Sequence, residues 1–193
     1  MDNKKYKGWG RVLSIIIPYL IIVSIFQLIG YSVAGIDFSE ADRPIKTSLQ
    51  QLTINFFGLI GTFIILWVFM KFVDKESFTK LGFQTKGRLI DFVIGLITGL
   101  IIMTLGYGFL ISIKEISFLK VNFNFNEIII SVLLFTVVAI VEETLLRGYI
   151  LKNLMFSFNK YVALIVSSIL FSLMHALNPN VDLFSLFNLF SAF

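Results

Sequence analysis

The sequence predicts an all-α fold, a polytopic bundle of transmembrane helices that forms one integral-membrane domain over residues 1–193. First, 57% of the 193 residues are hydrophobic and only 15% are charged, against about 25% charged residues in an ordinary soluble domain. Second, the mean hydropathy is +0.89, and a soluble fold of this size has too little interior to bury so much apolar side chain. Third, the apolar residues form runs of about 20 residues, which is the length that crosses a bilayer.

Five of these runs are long enough to be membrane spans. We predict the spans at about residues 12–36, 52–73, 89–113, 128–155 and 161–177. A sixth run begins near Val181 and stops at residue 193. As a helix it rises only about 20 Å, less than the roughly 30 Å hydrocarbon core. We therefore expect five spans plus the start of a sixth, in a sequence that is truncated.

The basic residues between the spans predict the orientation of the chain. Eleven of them lie on the side of the N-terminus and four on the opposite side, so the positive-inside rule predicts a cytoplasmic N-terminus. The net charge of +4 is spread through loops rather than gathered in a patch, which favours the lipid bilayer over nucleic acid as a partner. The bias towards Ile, Phe, Lys and Asn is typical of a low-GC bacterium, so we expect a bacterial cell membrane.

Few ionisable side chains lie within the predicted spans, and each is a candidate functional residue because a charge there costs several kcal/mol unless it is paired or hydrated. The deep ones are Glu142, Glu143 and Arg147 on the fourth span and His175 on the fifth. His175 is the only histidine in the chain. Three other acids lie at span edges, where they are expected to be solvated or paired: Asp91, Glu127 and Asp182.

Helical spacing predicts how these four side chains meet. Glu143 and Arg147 are four residues apart, on one helix face and within pairing distance. Glu142 is rotated by about 100°, so its carboxylate is free to point elsewhere. At about 1.5 Å per residue, Glu142 and His175 lie about 15 Å and 22 Å inward from the basic ends of their spans, so the two can meet. Such a set suits activation of water for attack on a carbonyl group.

The residues alone leave two other interpretations open. A Glu–Arg pair can simply hold helices together, with the histidine as a packing residue. The carboxylates can also form a relay in a proton- or ion-coupled transporter, although the paired broken helices and repeated halves of transporters are not visible here. The chain has no cysteine, which excludes thiol nucleophiles, Fe–S clusters and Cys-ligated zinc.

At these residues the sequence resembles the CPBP (Abi) family of intramembrane proteases, which includes type II CAAX prenyl endopeptidases and bacteriocin-immunity proteins. The family's first motif, E-E-x-x-x-R, is matched by Glu142, Glu143 and Arg147, and its second, F-x-x-x-H, by Phe171 and His175. The segment 80–83 is similar to a short motif that members often carry, so we expect a family-like core over about residues 80–193. The third motif, H-x-x-x-N or H-x-x-x-D, is missing, which we attribute to truncation, with a pseudoenzyme as the alternative.

The resemblance implies an intramembrane endopeptidase that opens to the cytoplasmic side and hydrolyses a membrane-associated peptide or protein. Glu142 is expected to deprotonate a water molecule that His175 holds or shares. Glu143 and Arg147 are expected to support Glu142, and Phe171 to support His175. The activity of the truncated chain stays open, and a bacteriocin-immunity or scaffold protein without enzymatic activity is the alternative.

The resemblance also raises the questions of a metal and of the substrate. If a divalent ion such as zinc is used, Glu142, Glu143 and His175 are its expected ligands. With one histidine and no cysteine, the chain has a poor ligand inventory for zinc, which normally takes three protein ligands at a catalytic site. We therefore expect no tightly bound metal. Because bacteria generally lack prenylated CAAX proteins, we expect processing of a peptide pheromone or bacteriocin rather than CAAX cleavage.

Overall fold

The computed structural model describes residues 7–36, 47–84, 86–121, 123–176, 178 and 181–193. Over these residues the chain is helical and contains no strand. Four of the described helices are long and apolar enough to cross a membrane. The predicted all-α, polytopic helical fold is therefore confirmed.

The helices follow the apolar runs of the sequence, and two of them contain widened, π-helical turns. Their bounds in chain order are α1 Lys7–Val33, α2 Ser48–Val68 with a π-helical turn Phe69–Asp74, a 3₁₀ helix Phe78–Leu81, α3 Leu89–Ser112, α4 Phe125–Glu142, a π-helical segment Glu143–Leu151, α5 Lys152–Ser157, α6 Lys160–His175 and α7 Leu183–Ala192. From α4 to α5 the chain is one continuous helix of 33 residues, called here the α4–α5 rod. Helix α2 and its π-helical turn likewise form one continuous helix, the α2 rod. The chain divides into two compact units, one of Met1–Gly82 with Asn126–Phe193 and one of Phe83–Phe125, which holds α3.

The fifth predicted span is shorter than expected. Helix α6 has 16 residues and rises about 24 Å, less than the roughly 30 Å core. It begins where the Asn159 side chain accepts hydrogen bonds from the N–H groups of Tyr161 and Val162, at 3.1 and 3.0 Å. It ends at His175, ahead of Pro179 in the sequence. Four described helices, rather than five, thus have the length of a span.

Polar caps also fix where two other helices of the first unit begin. Thr47 and Gln50 form a capping box at α2, each side chain bonded to the backbone N–H of the other residue. At α7 the hydroxyl and the N–H of Ser185 donate to Asp182 at 2.6 and 2.8 Å. These bonds hold the pKa of the Asp182 carboxyl below its usual range. These hydrogen bonds fix the residue at which α7 begins. Helix α7 packs against α6.

Helices α1 and α2 approach each other closely because glycine lies at their contact. A Cβ atom at Gly30 would lie 2.9 Å from Cα of Ile54, and one at Gly61 would lie 3.2 Å from Cα of Val23. Small residues are typical of such contacts between membrane helices. The close approach brings the Tyr19 hydroxyl of α1 within 3.2 Å of the buried hydroxyl oxygen of Thr62.

Ion pairs connect α1, the α2 rod and the α4–α5 rod near one end of these three helices. Arg11 of α1 donates to the carboxylate of Asp74 at 2.8 Å and to the amide oxygen of Asn153 at 3.4 Å. Lys152 donates to Glu76 at 2.7 Å, and this hydrogen bond holds the pKa of Glu76 below its usual range. These residues come from the beginning of α1, the end of the α2 rod and the end of the α4–α5 rod. The cluster fixes the axial register of the three rods.

We expect the substitution Arg11→Met to lower the free energy of unfolding by about 3–5 kcal/mol, because an unpaired buried charge costs about that much. The side chain of Asp74 is only 5% exposed, so its carboxylate would lose its partner without gaining water. Chemical denaturation in detergent micelles measures the change. Arg88→Met is the matched control, since Arg88 and Asp91 form an exposed pair at 3.0 Å that contributes under about 1 kcal/mol. Equal losses in the two variants would contradict this account of the cluster.

Candidate active site

The structure brings together the acid and the imidazole that the sequence predicted to meet. Glu142 is the last residue of α4, and His175 is the last residue of α6. Oε1 of Glu142 lies 3.5 Å from Nε2 of His175. Both side chains are partly buried, 34% and 22% exposed. The expected approach of residues 142 and 175 is therefore present.

The hydrogen bond of the other ring nitrogen of His175 indicates which nitrogen of the imidazole carries the proton. Nδ1 lies 2.9 Å from the backbone carbonyl oxygen of Phe171. A carbonyl oxygen only accepts, so Nδ1 carries the proton and donates. In the neutral imidazole, Nε2 is then an acceptor that faces Glu142.

Two hydrogen-bond acceptors that face each other can share one donor, such as a water molecule. The 3.5 Å between Nε2 of His175 and Oε1 of Glu142 exceeds the roughly 2.7–3.2 Å of a direct N–H···O bond. A water molecule about 2.8 Å from each atom can donate one hydrogen to the carboxylate and the other to the imidazole. The arrangement can thus hold a water molecule whose oxygen lone pairs point away from both groups.

The predicted pair of Glu143 and Arg147 also forms. Nη1 of Arg147 donates to Oε1 of Glu143 at 2.8 Å, and the two side chains are 45% and 55% exposed. Nη2 of the same guanidinium donates to the backbone oxygen of Phe193 at 2.9 Å, and its carbon lies 5.0 Å from the centre of the Phe193 ring. Arg147 therefore joins the segment after Glu142 to the end of α7.

Phe171 contacts His175 both through its ring and through its backbone. The centre of its ring lies 4.7 Å from that of the imidazole, edge on, and 5.3 Å from that of Phe193. One residue further on, the hydroxyl of Ser172 donates to the backbone oxygen of Leu186 in α7 at 2.7 Å. These contacts hold the ring of His175 on the side of Glu142. Nothing in the sequence distinguishes Phe193 from the other phenylalanines, 22 in all.

The sequence did not indicate the π-helical segment that follows Glu142. Residues 143–151 have the wider π-helical turn rather than α-helical geometry, a form that occurs frequently at functional sites. On this segment a Cβ atom at Gly148 would collide with the backbone carbonyl oxygen of Leu81. Leu81 belongs to the predicted family-like segment 80–83 and is buried. Direct contact of two backbones gives both Leu81 and Gly148 a structural role beside the site.

Tyr19 is a further residue near the site that the sequence did not single out. Its side chain is buried, its hydroxyl contacts that of Thr62, and the carboxylate of Glu142 interacts electrostatically with it. Tyr19 lies on α1, more than 120 positions from Glu142 in the chain. Only the three-dimensional packing brings the two together.

The residues present do not fit a metal site with three protein ligands. Across the described residues no group of three or more His, Cys, Asp or Glu side chains converges as a metal ion requires. The family resemblance implied Glu142, Glu143 and His175 as metal ligands. Glu142 and His175 lie together, but the carboxylate of Glu143 is bound to Arg147. A catalytic zinc normally needs three protein ligands. Only two candidate metal ligands, Glu142 and His175, thus lie together among the described residues.

These observations define an integral-membrane protein of several helices with an acid–imidazole pair between two of them. Residues 124–193 match the family described as Type II CAAX prenyl endopeptidase Rce1-like, which confirms the predicted resemblance and supports a membrane endopeptidase at the family level. The match includes both motifs but starts at residue 124, so a core that begins near residue 80 stays a prediction. Neither a curated protein nor a solved structure matches the chain.

Proposed function

We propose that this protein is an intramembrane endopeptidase in which a glutamate-activated water hydrolyses a peptide bond. The observation that supports this most is the 3.5 Å approach of Glu142 to Nε2 of His175, with Nδ1 held by the carbonyl of Phe171. A carboxylate and an imidazole acceptor so arranged suit a general base and a group that orients its water. The match over residues 124–193 supports this reaction class at the family level.

In the proposed reaction Glu142 removes one proton from the water as its oxygen attacks the carbonyl carbon of the substrate. The second O–H of the water donates a hydrogen bond to Nε2 of His175 and stays intact, and this bond orients a lone pair of the water towards the carbonyl. The tetrahedral intermediate collapses when the C–N bond breaks, and the proton on Glu142 passes to the leaving amine. The products are a free amine and a carboxylic acid, which then loses its proton to solvent, and Glu142 returns to its ionised form.

The role proposed for Glu143 and Arg147 is to position Glu142. Their ion pair lies on the π-helical segment next to Glu142, and the second donor of Arg147 reaches Phe193. Phe193 in turn contacts Phe171, whose carbonyl holds His175. The Glu143–Arg147 pair thus belongs to a continuous series of contacts that runs from the segment after Glu142 to the imidazole of His175.

We further propose a bacterial cell membrane with the N-terminus in the cytoplasm, and a peptide pheromone or bacteriocin precursor as substrate. The excess of basic residues on the side of the N-terminus, eleven against four, supports the orientation. A bacteriocin-immunity or scaffold protein without catalysis is the alternative, and the following experiment separates the two.

The variants Glu142→Gln and His175→Ala are each expected to abolish cleavage, a loss of at least about 100-fold, because general-base catalysis contributes about 100- to 10,000-fold. The purified protein is incubated with a mixture of synthetic hydrophobic peptides in detergent micelles, and mass spectrometry identifies the products. Glu115→Gln is the control, since it changes an exposed acid outside residues 124–193.

Full activity in Glu142→Gln would end the assignment of Glu142 as the base. If the wild-type protein cleaves no peptide of the mixture, the non-enzymatic alternative replaces the protease.

The variants Glu143→Gln and Arg147→Lys are expected to weaken cleavage by up to about 100-fold, because a misplacement of about 1 Å near the chemistry can cost that much. Lysine keeps the charge of Arg147 but loses the planar fork that bonds both Glu143 and Phe193. The effect is expected in kcat, with KM little changed. Arg88→Lys is the control, and an equal loss of activity in that variant would contradict a local role for the pair.

A further inference from the structure

A shallow apolar groove runs along the exposed face of the α2 rod. Its volume is about 400 Å³. Four residues of α2 and one of the 3₁₀ helix line it: Ile60, Phe63, Ile64, Trp67 and Phe78. All five belong to the first compact unit, and neither Glu142 nor His175 is among them. The proposed mechanism makes no use of this groove.

A reversal of the chain at Lys75 builds the second wall of the groove. Lys75 ends the π-helical turn with φ at 56°, in the left-handed region that residues other than glycine rarely adopt. The chain then turns back, and the ring of Phe78 packs edge on against that of Phe63, with 5.3 Å between the ring centres. Leu81, at the end of the same 3₁₀ helix, is buried and contacts the backbone at Gly148. The second wall is thus a fixed part of the fold.

One end of the groove carries a positive charge. Nζ of Lys71 lies 4.6 Å from the centre of the Trp67 ring and 5.4 Å from that of Phe72, and these two rings pack edge on at 6.3 Å. In the described part of the chain no carboxylate pairs with this ammonium group, whereas Lys152 binds Glu76 at 2.7 Å. The cation at the end of the groove can therefore take an anionic partner.

The position of Lys71 along the rod places this cation at the boundary of the membrane. Asp74, three residues further on, binds Arg11 in the ion-pair cluster at the polar end of the rod. Tryptophan is enriched at the membrane–water interface, and lysine near a helix end extends towards the headgroups. From Ile60 to Lys71 the rod rises about 16 Å, about half of the roughly 30 Å hydrocarbon core. The groove thus has the length of one lipid leaflet.

We infer that this groove binds one anionic phospholipid, with an acyl chain along Ile60, Ile64 and Trp67 and the phosphate at Lys71. The walls are apolar and match the acyl chain, and the ammonium group of Lys71 matches the charge of the headgroup. Basic residues at the membrane surface favour anionic lipids. A zwitterionic headgroup brings its own cation, which competes with Lys71 for the phosphate. The inference is independent of the proposed function.

Native mass spectrometry of the detergent-purified protein, mixed with equal amounts of phosphatidylglycerol and phosphatidylcholine, tests the site. We expect the wild-type protein to retain one phosphatidylglycerol molecule in preference to phosphatidylcholine. Lys71→Gln is expected to lower the ratio of the two retained lipids by about fivefold, the contribution of one lysine at an anionic surface. Lys71→Arg keeps the charge and is expected to keep the ratio. Ile64→Trp fills the groove and is expected to lose the retained lipid.

Lys160→Gln is the matched control for the loss of charge. Lys160 also lies over an aromatic ring, that of Tyr161 at 5.1 Å, and on the same predicted side of the membrane, but neither residue lines the groove. An equal fall of the lipid ratio in Lys71→Gln and Lys160→Gln would reduce the preference to net charge and overturn the site. Equal retention of both lipids by the wild-type protein, or full retention in Ile64→Trp, would overturn it as well. Lys71 is exposed, so its substitution leaves the packing of the rod intact.

Discussion

Oε1 of Glu142 and Nε2 of His175 lie 3.5 Å apart at the ends of α4 and α6, and with a neutral imidazole both atoms accept hydrogen bonds. The helix itself sets this polarity, because the Nδ1 proton of His175 is donated to the carbonyl of Phe171 one turn earlier. In that form a water molecule that donates one hydrogen to each atom satisfies both, and an unsatisfied polar group in apolar surroundings costs about 1–3 kcal/mol. The same geometry leaves the oxygen of such a water free to attack.

Helix geometry on either side holds the two groups in place. On one side the π-helical segment after Glu142 contacts the backbone of Leu81 through Gly148. On the other side Arg147 and Phe193 connect that segment to the ring of Phe171. At the far end of the rods, the Arg11–Asp74 pair fixes the axial position of α1. Residues that are far apart in the sequence, from Leu81 to Phe193, thus support the positions of the two side chains.

Much of the fold and part of the site could be predicted from the sequence because they follow from local rules. Apolar runs of about 20 residues gave the helices, and a spacing of four residues gave the Glu143–Arg147 pair. The meeting of Glu142 with His175 followed from counting residues inward along two neighbouring helices. The length of α6 was overestimated because apolar residues continue past His175, whereas the helix stops there.

The remaining features depend on packing that has no local signature. The π-helical segment was not predicted from the sequence, and the backbone of Leu81 approaches it at Gly148. Tyr19 and Phe193 resemble the many other aromatic residues of the chain until the structure places them beside the site. The roles of Glu142, Glu143, Arg147, Phe171 and His175 in catalysis, the substrate and the orientation stay predictions.

Because His175 is the only histidine, ¹⁵N labelling of histidine gives the resonances of one imidazole and tests the shared water most directly. We expect the neutral imidazole of the protein in micelles to show a protonated Nδ1 and an unprotonated, hydrogen-bonded Nε2. In Glu142→Gln the Nε2 resonance is expected to shift while the Nδ1 resonance stays where it was. A protonated Nε2 with a bare Nδ1, or an Nε2 resonance that does not respond to the loss of the carboxylate, would contradict the account.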